Sequence, residues 1–75
     1  MKEILPDIDI DPDIRGGKPV ISGTRVPVEL VLGKLAGGAT YGEIKKEYEL
    51  TQDQILAALR YAAHIASDEQ VKAIL

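Results

Sequence analysis

Apolar positions repeat every second residue near the start of the chain and every third to fourth residue from position 28 onward, so a β element precedes a set of helices. Asp7-Ile8-Asp9-Ile10-Asp11 alternates strictly and reads as a strand with isoleucines on one face and a solvated row of aspartates on the other. Val20-Ile21 and Thr24-Arg25-Val26 flank Ser22-Gly23 and read as a short extended pair. Two such strands are barely stable alone, so a second chain is expected to complete the sheet, with residues 7–11 or 19–26 pairing across a two-fold axis.

The helical part is marked by its boundaries. Val28, Val31, Leu32 and Leu35 share one helical face, Pro27 suits the first turn, and Gly37-Gly38 ends it. Thr40-Tyr41-Gly42-Glu43, Thr51-Gln52-Asp53-Gln54 and Ser67-Asp68-Glu69-Gln70 each place Ser or Thr three residues before Glu or Gln, the reciprocal capping box of a helix start. An apolar residue precedes each box and has a partner at the fourth helical position: Ala39 with Ile44, Leu50 with Ile55, Ala66 with Val71. The prediction is a mainly α domain of about four helices with a short N-terminal β element. Residues 1–26 form the β arm and basic turn, 27–66 a three-helix core, and 67–75 a short C-terminal helix. Gly33, inside the first helix, costs about 1 kcal/mol against alanine and predicts close backbone packing there.

On the third helix Ile55, Ala58, Leu59, Ala62 and Ala66 form the expected core stripe, with Asp53, Ala57, Arg60, Tyr61 and His64 outward. Leu56 and Ile65 widen the apolar arc beyond the ~100° that one-sided packing needs, which favours a protein partner. At the chain's end Val71, Ile74 and Leu75 have little left in the sequence to cover them and form a candidate docking face, with Lys72 on the same turn.

Composition narrows the function. With 75 residues this is one domain that buries only about 60% of its unfolded surface, so burial against another chain is expected. No cysteine is present, which excludes disulfides and thiolate metal sites. Neither a signal-peptide pattern nor an apolar run long enough for a bilayer appears, so a soluble cytoplasmic protein is expected. The net charge of −3 is unevenly spread: residues 1–14 set one lysine against five acids, whereas residues 15–36 set four cations against Glu29. Overall acidity argues against tight nonspecific nucleic-acid binding by a monomer, although a dimer would present two basic loops.

That basic loop is the twelve-residue stretch 16–27, Gly-Gly-Lys-Pro-Val-Ile-Ser-Gly-Thr-Arg-Val-Pro, whose glycines and prolines specify a shaped path into a helix. The helix pair 41–48 and 52–66, joined by Glu49-Leu50-Thr51, has the lengths and turn of a helix-turn-helix and equally those of a plain αα-hairpin. Lys18, Arg25, Lys45, Lys46 and Arg60 are the candidate DNA contacts, while Asp53 would repel phosphates. Other motifs lead nowhere. Counted as a calcium loop from Asp7, Pro12 stands at the glycine place and Lys18 at the bidentate glutamate place. Gly17-Lys18 lacks the Ser or Thr and the upstream glycine of a phosphate loop. His64 has no acid or nucleophile at a readable spacing, and Tyr41, Tyr48 and Tyr61 read as core-edge residues with wet hydroxyls.

The string GGKPVISGTRVPVELVLGKLAGGATYGEIKKEYELTQDQILAALRYAA, residues 16–63, resembles the small prokaryotic family catalogued as domain-of-unknown-function 433. The resemblance implies a homeodomain-like helix-turn-helix domain, commonly dimeric. It further implies a non-enzymatic, VapB-type antitoxin of a type II toxin–antitoxin pair, with a PIN-like ribonuclease toxin as partner. It assigns no catalytic residue, metal or cofactor. On this view Val71, Lys72, Ile74 and Leu75 would bind the toxin, with Lys72 approaching its acidic metal site, and the five cations above would bind operator DNA. The alternative is a stand-alone helix-turn-helix regulator of transcription without a toxin.

Overall fold

The computed structural model describes residues 2–13 and 15–68. Its N-terminal part is a three-stranded antiparallel sheet in the order β1 (Lys2–Leu5), β2 (Ile8–Ile10), β3 (Val20–Ile21). The first two strands are joined by Pro6-Asp7, with Leu5 opposite Ile8 and Glu3 opposite Asp9. Proline followed by a residue at φ 67 is the combination a type II turn uses. Because Asp7 turns the chain, the expected strand over 7–11 shortens to Ile8–Ile10. β2 also needs no second chain: β1 pairs with one of its edges and β3 with the other, Ile8 opposite Ile21 and Asp9 opposite Val20. The expected pair around Ser22-Gly23 is present as a bridge from Val20 to Pro27 and a hydrogen bond from Ile21 N–H to the Val26 carbonyl (3.0 Å).

A three-residue 3-10 turn, Arg15–Gly17, leads into β3, and three helices follow: α1 (Val28–Ala36), α2 (Tyr41–Tyr48) and α3 (Gln52–Asp68). α1 has no side-chain cap; the Val28 N–H donates instead to the Pro19 carbonyl at 3.0 Å, which anchors the helix start to the strand. Its end is a Schellman closure. Ala39 N–H donates to the Lys34 carbonyl (3.0 Å) and Gly38 N–H to that of Leu35 (3.0 Å), with Gly38 at φ 96. α2 and α3 begin in the predicted capping boxes: Thr40 and Glu43 exchange bonds of 2.8 and 3.1 Å, as do Thr51 and Gln54.

Three expectations are corrected here. Among the described residues there are three helices, not four, because Ser67, the expected start of the fourth, lies inside α3: that helix runs through Ser67 to Asp68, and the Ser67 hydroxyl donates back to the His64 carbonyl (2.8 Å). Residues 69–75, with the candidate contacts Val71, Lys72, Ile74 and Leu75, lie outside the described residues. The buried face of α3 is also rotated: Ala57 is 1% exposed and Tyr61 packs half-buried on the core, while Ala66 is exposed. The helix is covered by α1 and α2 and also by β2 and β3, so it buries a wider arc than a single neighbour would take. Finally, Gly33 makes no close approach; it is exposed, and a β-carbon there would meet nothing within 4 Å.

The core where sheet and helices meet consists of Ile8, Ile21, Val28, Val31, Ile44, Leu50, Ile55, Ala57 and Ala58. Leu50 and Ile55, the predicted staple pair, both belong to it. No helix among the described residues is long and apolar enough to cross a membrane.

Candidate partner-binding surface

The loop over residues 16–27 is held at nearly every polar position. Gly16 and Gly17 adopt φ 66 and 83 and swing the chain back toward the sheet. Ser22 N–H donates to the Asp7 carbonyl (2.8 Å), and its hydroxyl donates to Asp9 Oδ1 (2.9 Å). Asp9 is only 6% exposed, so the aspartate face expected to be solvated instead holds a buried carboxylate that ties the loop to β2. Gly23 sits at φ 78 at the tip. Thr24 closes the turn: its hydroxyl donates to the Ile21 carbonyl (2.7 Å) and accepts from Val26 N–H (3.0 Å). Val20, Ile21 and Pro27 point inward, leaving Arg25 exposed on a backbone fixed on both sides.

Where the start of this loop meets α1 and α3 lies a mainly apolar groove of about 240 Å³ lined by Lys18, Pro19, Val28, Glu29, Leu32 and Tyr61. Lys18 Nζ donates to Glu29 Oε1 at 2.7 Å across its rim. Lys18 is therefore matched by an acid rather than offered as an unmatched cation. The remaining candidate DNA contacts are spread over the helices: Lys45 and Lys46 are exposed on the last turn of α2, where they complement the helix dipole, and Arg60 is exposed on α3. Asp53 is exposed on the first turn of α3. A second, polar notch of about 420 Å³ separates α1 from α2, lined by Gly33, Lys34, Gly37, Gly38, Ala39, Glu43 and Glu47, with Lys34 and Glu47 3.8 Å apart. The backbone N–H of Thr40, and then its side chain, hold the Glu43 carboxyl below its ordinary pKa. Among the described residues no group of three or more His, Asp or Glu side chains is placed to hold a metal ion.

The sequence profile of the family described as "Protein of unknown function (DUF433)" matches residues 8–62, which take in the sheet from β2 onward, the shaped loop and most of the helical core. The chain belongs to this family. A protein of Mycobacterium tuberculosis named "Putative antitoxin VapB45" is 40% identical to it over 53 residues, 71% of this chain. The chain spans only 22% of the length of that relative. No solved structure matches the chain. The profile match begins earlier than the 16–63 string that carries the resemblance in the sequence, and so includes the strand bearing Asp9.

Two parts of the surface had no readable signal. The Lys18–Glu29 pair joins residues eleven apart in different elements, and Tyr61 lines the groove only because α3 is rotated from the face its apolar stripe predicts. The Ser22–Asp9 bond spans thirteen residues, and alternation alone assigned Asp9 to solvent.

Proposed function

We propose that this chain is an antitoxin-like binding module that neutralises a PIN-like ribonuclease toxin by direct contact in the cytoplasm, with operator DNA binding as a secondary activity. The observation that carries the reading is its 40% identity, over 71% of its length, to a protein named as an antitoxin. The surface is suited to such a role: the loop that exposes Arg25 also lines, through Lys18 and Pro19, an apolar groove whose rim carries one charge of each sign, which is the composition of a protein contact rather than of a phosphate track. Toxin contacts are assigned to this face and to Val71, Lys72, Ile74 and Leu75. The module does no chemistry of its own in this reading; it acts by occluding the toxin.

The second reading, a stand-alone DNA-binding regulator, is favoured by one feature: α2 and α3 are joined by only three residues, 49–51, as in a homeodomain-like helix-turn-helix. In that reading Arg25, Lys45, Lys46 and Arg60 contact phosphates, and Lys18 does so after giving up Glu29. Coexpression with the adjacent open reading frame decides between them. Stoichiometric copurification together with suppression of the partner's ribonuclease activity supports the antitoxin. Absence of any complex, with sequence-specific retardation of the upstream DNA, supports the regulator.

A further inference from the structure

The apolar groove opens onto the core itself. Its floor is Val28, 2% exposed and part of the buried cluster, and its apolar walls are Pro19 from the loop, Leu32 from α1 and Tyr61 from α3. Val28 N–H donates to the Pro19 carbonyl at 3.0 Å, so the loop wall is fastened to the helix wall before anything binds. At about 240 Å³ the space falls below the ~300–1,000 Å³ of small-molecule sites, yet exceeds the ~150 Å³ apolar cavity that admits a benzene ring. It has the size of one large side chain. At its mouth stands the Lys18–Glu29 pair, 2.7 Å apart, with the two side chains 59% and 65% exposed. An ion pair so exposed is weak and opens at little cost, which frees one cation and one anion at the mouth of an apolar hole.

We propose, resting on the antitoxin reading, that this groove takes one leucine-, methionine- or phenylalanine-sized side chain of the toxin, on a segment whose neighbouring acid pairs with Lys18 and whose neighbouring base pairs with Glu29. Size and charge select this occupant together. Lys18 is the one cation among the described residues that line the groove, and Glu29 beside it would repel a phosphate or a free carboxylate. An apolar side chain carried on a peptide segment suits both parts of the site: its body leaves water against Val28, Leu32 and Tyr61, and its charged neighbours take over the opened ion pair. A buried anchor in a preformed pocket is where protein interfaces concentrate their binding energy, while charges at the rim set orientation and exclude wrong partners.

Exchanging the two charges tests the contact apart from the fold. Lys18→Glu combined with Glu29→Lys re-forms the ion pair in reverse, so the chain is expected to keep its structure. Its Tm should stay within a few degrees of wild type, the small loss coming from a cation at the start of α1. Toward the partner, both signs are inverted. The exchanged variant is expected to bind the purified product of the adjacent open reading frame at least ~30-fold more weakly than wild type. Leu32→Ala, which removes one wall, is expected to weaken binding at least ~10-fold. Lys34→Glu combined with Glu47→Lys, the same exchange at the polar notch, is expected to leave affinity unchanged. In the wild-type complex the Leu32 methyl groups are expected to show nuclear Overhauser contacts to one apolar side chain of the partner, a readout that needs no variant to fold. If wild type forms no complex, the antitoxin reading fails and the anchor with it. The anchor alone is overturned by a wild-type complex that survives the Lys18–Glu29 exchange at full strength, that weakens as much on the Lys34–Glu47 exchange, or that lacks those methyl contacts. It is equally overturned if Leu32 in the free chain contacts residues 69–75 or a second copy, since the groove is then already filled.

Discussion

Ser22→Ala tests how the shaped loop is fastened. The substitution removes the hydroxyl that donates to Asp9 Oδ1 at 2.9 Å and little else, since the backbone there is already fixed by Ser22 N–H to the Asp7 carbonyl at 2.8 Å. Asp9 is 6% exposed, so water cannot easily replace the lost donor. A hydrogen bond to a charged group contributes about 1.5–3 kcal/mol, and an unsatisfied buried acceptor keeps its desolvation cost, which puts the expected loss near ~2 kcal/mol. For a chain of this length total stability is on the order of 4–11 kcal/mol. The loss is thus a large share, worth about 8–16 °C in Tm. Urea unfolding followed by far-ultraviolet circular dichroism should show a lower midpoint with an unchanged slope. Asp9→Ala combined with Ser22→Ala should cost less than the sum of the single changes, because removing both partners leaves no orphan. A Ser22→Ala protein within ~0.5 kcal/mol of wild type, or strict additivity in the double variant, would refute the claim that this bond holds the loop to the sheet.

Gly33→Ala should stabilise by about 1 kcal/mol, because the position is helical and a β-carbon meets nothing within 4 Å; an unchanged or lower Tm would show that the helix needs glycine there. Glu49→Gly should also stabilise by about 1 kcal/mol, since Glu49 holds φ 55 at the C-cap of α2, where a side chain is strained and a negative charge opposes the helix dipole; urea midpoints compare the two. Glu43 has its pKa lowered by Thr40, so its contribution to stability is present above the unfolded-state value and fades as pH falls through the lower folded-state value. Melting temperatures of wild type and Glu43→Gln should therefore converge in acid and separate toward neutral pH, and parallel profiles would discard the capping contribution. If operator DNA is bound, Arg25→Ala and Arg60→Ala should each lower the salt slope of log K by about 1, and unchanged slopes in a retardation series would remove them from the interface.

What the sequence made legible follows the range of the forces involved. The two capping boxes and the Gly37-Gly38 stop were readable because each is closed within five or six residues by groups the chain itself specifies. The same short-range logic failed at Ser67. A capping box is a competition between an N-cap and continued helix, and α3 continues through Ser67 because its hydroxyl can bond the His64 carbonyl without ending the helix. β1 was missed for the opposite reason. Four residues carry too little alternation to announce a strand, and what makes them one is pairing with β2 through the Pro6-Asp7 turn. Once β1 is in place, the alternating Asp-Ile segment becomes a central strand, and its aspartates no longer share one fate: Asp9, with β1 on one side and β3 on the other, is carried out of water to meet Ser22, while Asp7 becomes the turn. A two-residue period identifies which residues share a face, but whether that face is wet depends on neighbours far along the chain. The loop's glycines and prolines could be read as a shaped path. That the path ends on a buried carboxylate, and so presents Arg25 from a fixed backbone, depends on a contact thirteen residues long.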